Sequence, residues 1–330
     1  MKRIDCHNHV IPERIIDAMR EQPALYNTRI EGARGSYRFA RGKVAFELAP
    51  EFYDADAKVE ALDRKGIDIA YISPGPQVFF YGLGADEALK TARIVNDGVA
   101  DMVAAQPARL RGMATLPMRH PEAAITELER VVRDLGFRAV EMGTAIGEEE
   151  LADPKFRPVL RRLQELKVTV FAHPNTQGSA GRLDCYYLAN LIGNPLDTTV
   201  MVGKLMFSGA LDELRELKIL LAHGGGFLPY QIGRFEHGHT VRADTSAVTQ
   251  TKPMAMLRNF YFDALTHHPR ATRHLLDMVG SSHVVLGTDA PFDMGEEHPV
   301  QALYAVPGLT AEEREDVCYR TAAQLFGETE

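Results

Sequence analysis

The 330-residue chain has no tryptophan, three cysteines and no surplus of positive charge. Cys6, Cys185 and Cys318 are odd in number and far apart, which excludes a disulfide framework and fits a reducing compartment. Lys+Arg number 37 against 45 Asp+Glu, a formal net charge of −8. Nothing in that balance would neutralise a phosphate backbone or an anionic membrane, so neither nucleic acid nor membrane is an expected partner. No apolar run approaches the roughly 20 residues a membrane-spanning helix needs. The start, Met1-Lys-Arg-Ile-Asp5, turns polar at once, without the apolar stretch of a secretory signal, and a cytoplasmic location is expected. What remains is the composition of a globular protein, 45% hydrophobic and 25% charged.

Short apolar or β-branched runs alternate with longer stretches of helical period, the pattern of βα units around a parallel sheet. The expected strands are Arg3–Val10, Ile67–Ser73, Leu110–Leu116, Phe137–Met142, Val168–Ala172, Ile219–His223, Phe260–Ala264 and Val284–Thr288. Helical spacing marks Ala55–Arg64, Ala85–Ala105, Pro121–Leu135, Lys155–Leu166, Leu196–Phe207 and Pro269–Met278. Eight such repeats predict an α/β fold, a single (β/α)8 barrel domain spanning 1–330. A doubly wound sheet is the runner-up, but no glycine-rich fingerprint follows the first strand. An insert at about 25–53 breaks the pattern, with alternating Ser36–Ala40 and Lys43–Leu48 around Arg41-Gly42 predicting a β-hairpin over the barrel mouth. The segment 175–207, rich in Gly, Asn and Pro, is a candidate lid or subunit contact.

His7-Asn8-His9 ends the first expected strand, and the period of two points both imidazoles the same way. Taken alone, such a pair is as readily two core histidines. Three further sites shift the balance, because His173, His223 and Asp289 each close an apolar run at a strand's carboxyl end. In a barrel these ends share one rim, where active sites are built. Four histidines and one aspartate converge there, enough to fill a catalytic metal site and leave one group over.

Asp5-Cys-His7-Asn-His9, Phe171-Ala-His173-Pro174, Leu221-Ala-His223-Gly-Gly-Gly226 and Gly287-Thr-Asp289-Ala-Pro-Phe292 together resemble the amidohydrolase superfamily. The likeness runs from residue 3 to about 326 and is strongest to the branch of metal-dependent non-oxidative decarboxylases that includes the aminocarboxymuconate semialdehyde enzymes. It implies one divalent ion held by His7, His9, His173 and Asp289, zinc first and manganese second. It implies His223 as the acid/base group beside metal-bound water, with Asp289 orienting that water. The two-metal branches carry a bridging lysine at the end of the fourth strand; here Phe137-Arg-Ala-Val-Glu-Met-Gly143 has none, which implies a mononuclear site.

The same resemblance makes Arg234 and Arg242 carboxylate-binding residues, one of them reaching in from a neighbouring subunit of a homodimer or larger assembly, and makes the substrate a small carboxylic acid. A solvated helix face is the bland alternative for both arginines. Two features of the resembling enzymes find no match: an arginine in the insert, where Val44-Ala-Phe46-Glu-Leu stands, and a tryptophan after the fifth strand, where Tyr186-Tyr187 stands. Cys6 is expected as a buried small hydrophobe pointing away from the histidines and Asp263 as a support or structural residue at the rim, while Cys185, in the segment after the fifth strand, is expected to be inert although related hydratases can carry a cysteine near their site. His267-His268 is expected as a helix-entry turn and His237 and His239 as surface residues, while Gly224-Gly225-Gly226 suits tight backbone better than a phosphate cradle. The expected activity is decarboxylation of an unsaturated or aromatic acid, the alternatives being a hydrolase or hydratase of a lactone or oxo-diacid, and a silent binding barrel.

Overall fold

A computed structural model describes residues 2–42, 44–175 and 181–328. Lys43 of the expected hairpin and residues 176–180 of the segment 175–207 lie outside the described residues.

Eight strands form one parallel sheet in chain order: β1 (Ile4–Val10), β2 (Ile69–Pro74), β3 (Leu110–Ala114), β4 (Ala139–Gly143), β5 (Thr169–His173), β6 (Ile219–Leu221), β7 (Phe260–Asp263) and β8 (Val284–Val285). The sheet closes through bridges between Asp5 and Leu286 and between Asn8 and Ala290, with Cys6 N–H donating to Leu286 O at 2.9 Å and His9 N–H to Ala290 O at 2.8 Å. Closure removes the free edges a doubly wound sheet would keep, so the barrel is the observed architecture. Buried Leu, Ile, Val and Phe side chains fill the layer between strands and helices, while Ile4, Tyr71, Met113, Phe171, Leu220 and Val285 pack the interior.

Strand parity departs from expectation at one place. Asp5 pairs with Ala70 but Asn8 with Ile72, so β1 holds one more residue than β2 over that span, a β-bulge. The bulge reverses the alternation, and Cys6 therefore joins the interior cluster instead of pointing away, while His7 and His9 still share a face. Its reading as a fully buried small hydrophobe stands.

Seven of the eight strands are shorter than expected, β8 by the most. β6 stops at Leu221 and β8 at Val285 because the chain turns sharply into His223 (φ +56°) and Asp289 (φ +58°). The insert is a three-stranded antiparallel sheet of Arg29–Glu31, Arg38–Arg41 and Val44–Glu47, with Gly42 at φ +58° in the turn. Its Phe39, Phe46 and Phe52 form a separate apolar cluster with Ile11, Ile15 and Val78. A π-turn at Ala189–Gly193 leads into the helix Asn194–Phe207. No described helix is long and apolar enough to cross a membrane.

Candidate metal centre

Four strand ends deliver the expected cluster to the barrel mouth. One donor atom from each of His7, His173, His223 and Asp289 lies within 4.8 Å of the others. His9 joins them, its Nε2 3.0 Å from His7 Nε2 and 3.1 Å from Asp289 Oδ1; His7 Nε2 is 3.2 Å from the same oxygen. Asp289 Oδ2 instead faces His223 Nε2 at 3.5 Å. His7 and His9 are fully buried, whereas the His223 side chain keeps 17% of its surface exposed.

The partners of each ring fix its protons. His7 Nδ1 lies 2.6 Å from Asp263 Oδ2, an acceptor only, so Nδ1 carries the hydrogen and Nε2 the lone pair. His173 Nδ1 donates to Pro174 O at 2.8 Å, leaving Nε2 with no partner. His9 Nδ1 faces Ser73 Oγ at 3.4 Å and Glu141 Oε2 at 3.5 Å. The Ser73 hydroxyl proton is spent on Asn8 O at 3.2 Å, so both neighbours of His9 Nδ1 accept. Three Nε2 atoms and the Asp289 carboxylate thus point into one space, with each ring's Nδ1 hydrogen engaged elsewhere; only positive charge, a proton or a bound cation, can hold that set together.

The electrostatics carry the same demand. Burial disfavours a charged His7, yet Asp289 and Asp263 outweigh it and push the ring up to about 10. His9 is raised as well, burial being overcome by Glu141 and Asp289. Burial and the neighbouring imidazoles hold His173 well below its ordinary value, and the surrounding histidines overcome burial to keep Asp289 far below the usual carboxylate range. The pocket is rich in negative charge and calls for positive charge, which a dication supplies: this is a divalent-metal site by its donor set.

Local backbone makes the approach close enough. A Cβ on Gly287 would stand 2.8 Å from Asp263 Cβ and 2.9 Å from His7 Cβ, so only glycine lets that pair meet. The glycine triplet serves the His223 turn: Gly224, Gly225 and Gly226 have φ of +63°, +75° and +63°, and a Cβ on Gly225 would sit 2.5 Å from the Phe262 ring. Asp263 is the hub beneath, accepting His223 N–H at 2.9 Å, Gly224 N–H at 2.7 Å and Leu265 N–H at 3.1 Å besides its bond to His7.

Arg234 and Arg242 are not brought to the cluster within this chain. Both are exposed, on and just beyond the helix Leu228–Val241, and Arg242 Nε pairs with Asp244 at 3.3 Å. His239, expected at the surface, is buried, its Nε2 hydrogen-bonded to Thr249 O at 3.0 Å because the chain folds back over that helix face; His237 is exposed. His268 caps the helix Pro269–Val279 through Arg270 N–H, as a helix-entry turn should. Cys185 is exposed.

Two residues escaped the sequence reading. Glu141, fully buried on β4, has the parity of inward-facing Ala139 and Gly143, a signal present in the strand. Arg41 of the insert donates to Gln77 O at 3.0 Å with its guanidinium 5.0 Å from the Phe80 ring centroid. The neighbouring Phe46 and Phe52 pack on Phe292, whose ring centroid is 5.3 Å from that of His9, so the insert covers the metal site.

Comparison with known proteins places this geometry among others. The amidohydrolase family model matches residues 4–327. The 2-amino-3-carboxymuconate-6-semialdehyde decarboxylase of Dictyostelium discoideum is 32% identical over 287 residues, covering 87% of this chain and 80% of that one. The gamma-resorcylate decarboxylase of Polaromonas sp. is 31% identical over 251 residues, 72% of this chain and 77% of its own. Among solved structures, dihydroxybenzoic acid decarboxylase from Polaromonas sp. JS666, described with bound manganese, superposes with a TM-score of 0.81 at 23% identity, over 99% of this chain and 97% of that one.

Proposed function

Because the chain belongs to the amidohydrolase family, we propose that it is a metal-dependent, non-oxidative decarboxylase of a small aromatic or unsaturated carboxylic acid carrying a neighbouring hydroxyl, oxo or amino group. The observation that carries this reading is the convergence of three imidazole Nε2 atoms and one carboxylate at the mouth of the barrel.

His7, His9, His173 and Asp289 would hold a single dication, zinc by preference for three imidazoles and a carboxylate, manganese second by analogy with the Polaromonas enzyme. A dication held there would supply Lewis acidity that stabilises negative charge on the substrate's carboxylate and adjacent oxygen, while the electron pair of the breaking carbon–carbon bond stays on the carbon that takes up the proton. His223 stays outside the ligand set. It is more exposed than His7 or His9, meets Asp289 through the other oxygen, and has an unpartnered Nδ1. It delivers the proton to the ring carbon that loses the carboxylate, with Asp289 Oδ2 fixing the orientation of its Nε2 edge. Phe292, packed on His9, and Phe46 behind it close the insert side with an apolar wall suited to an aromatic acid. Arg234 and Arg242, exposed in the single chain, bind substrate carboxylate, one of them from the neighbouring subunit of a homodimer or larger assembly, and the enzyme works in the cytoplasm, where free thiols persist.

The test is to strip the protein with chelator, reload it with zinc or manganese separately, and offer ortho-hydroxybenzoates and 2-amino-3-carboxymuconate semialdehyde. Metal-dependent carbon dioxide release with loss of one carbon from the acid is expected. Products that keep every carbon would replace decarboxylation by hydrolysis or hydration.

A further inference from the structure

Glu141 has no place in the mechanism above, yet its position is costly. Its side chain is fully buried, and neither carboxylate oxygen has a hydrogen-bond partner. Burying an unpaired carboxylate is among the more expensive things a fold can do. The imidazole edge beside it is His9 Nδ1, 3.5 Å away and longer than a formed hydrogen bond. Glu141 does not stand among the donor atoms: it meets the Nδ1 edge of His9, whereas Nε2 faces Asp289.

We propose that Glu141 is a positioning residue that keeps His9 in the tautomer with its lone pair on Nε2, and that it raises affinity for the ion from behind the ring. The proposal rests on the metal reading above and deepens it. The reasoning parallels Asp263 and His7, where the carboxylate is already in contact at 2.6 Å. A carboxylate facing Nδ1–H increases electron density at Nε2, and such outer partners typically contribute about tenfold to a hundredfold in metal affinity. Ser73, the other neighbour of Nδ1, is a weaker acceptor 3.4 Å away whose own proton goes to Asn8 O. The distribution of charge agrees: Glu141 and Asp263 stand behind two imidazoles, and Asp289 faces the ion directly.

The experiment compares wild type, Glu141→Gln and Glu141→Leu in two measurements: zinc affinity by chelator competition, and melting temperature of the metal-free protein. Gln keeps an acceptor without charge; Leu removes both. The expected order of affinity is wild type, then Gln, then Leu, with Leu weaker by about tenfold to a hundredfold. The metal-free Glu141→Gln protein is expected to melt close to wild type, because Gln keeps the side-chain volume and an acceptor beside His9 Nδ1. Wild-type zinc affinity in Glu141→Leu would overturn the proposal while leaving the metal site intact. A metal-free Glu141→Gln protein that melts well below wild type would make Glu141 a structural residue and overturn it too. If wild-type protein itself takes up no ion, the metal reading falls and this proposal with it.

Discussion

Asp263 Oδ2 lies 2.6 Å from His7 Nδ1 and also accepts the backbone N–H of His223 at 2.9 Å, so one buried carboxylate sets both a proposed metal ligand and the proposed proton carrier. Burial opposes its charge, but His7 and the turn at Gly224 keep it below the usual carboxylate range. Asp263→Asn is expected to weaken metal binding by about tenfold to a hundredfold and to lower kcat of the reloaded enzyme as well. Chelator competition together with steady-state rates at saturating metal checks both effects.

His173 and His223 are 5.0 Å apart between ring centroids but are expected to fail differently. His173→Ala removes the donor with the orphaned Nε2 and should leave substoichiometric metal after dialysis. His223→Ala should keep full metal while turnover falls by about a hundredfold or more, the usual loss on removing a general acid. Metal analysis beside a carbon dioxide assay separates the two, and normal turnover in His223→Ala would disprove its role.

Lys58 Nζ is buried against the back of β1, donating to Asn8 Oδ1 at 2.7 Å and His9 O at 2.9 Å. Asn8 passes the contact to Asp5 at 2.8 Å, and Asp5 accepts Thr288 Oγ1–H at 2.6 Å, one residue before Asp289. β8 is only two residues long, and this chain of side chains adds to the backbone bonds from Cys6, His9, Thr288 and Asp289 N–H that close the barrel at the metal site. Lys58→Met leaves two buried acceptors unpaired and should cost about 1–3 kcal/mol of stability, read by urea denaturation, with weaker metal retention alongside.

Stability should also depend on pH through Glu313, which Arg273 and the Thr310 N–H hold down at about 2, from an ordinary 4.5. A depressed carboxylate stabilises the folded state above its unfolded value, and that contribution is lost as pH falls from about 4.5 toward about 2. Glu313→Gln should therefore be less stable than wild type near pH 7, with the gap shrinking below about pH 4.5 and closing only toward about pH 2. An equal gap at about pH 7 and about pH 2 would rule out the ion pair as its source.

Much of the barrel was legible because its signals are local: apolar runs of strand length, helical spacing between them, and histidines at the ends of those runs. The hairpin in the insert followed from alternation around Arg41-Gly42. Strand ends were less legible, since His223 and Asp289 leave β6 and β8 through left-handed turns that bonds to Asp263 and to His7 O hold in place, and those partners are distant in sequence. Cys6 was read with the wrong parity because one extra residue in β1 is visible only against its partner strand. His239 was placed at the surface because nothing local announces that Thr249 folds back onto it.

By itself the sequence determined the barrel, its insert and the five polar side chains at its rim, because periodicity and residue type act over a few positions. Which nitrogen of each imidazole bears a proton, and which carboxylate stands behind which ring, only the tertiary structure decided. Those properties depend on atoms about 3 Å apart that lie as many as 256 residues apart along the chain, as in His7 and Asp263.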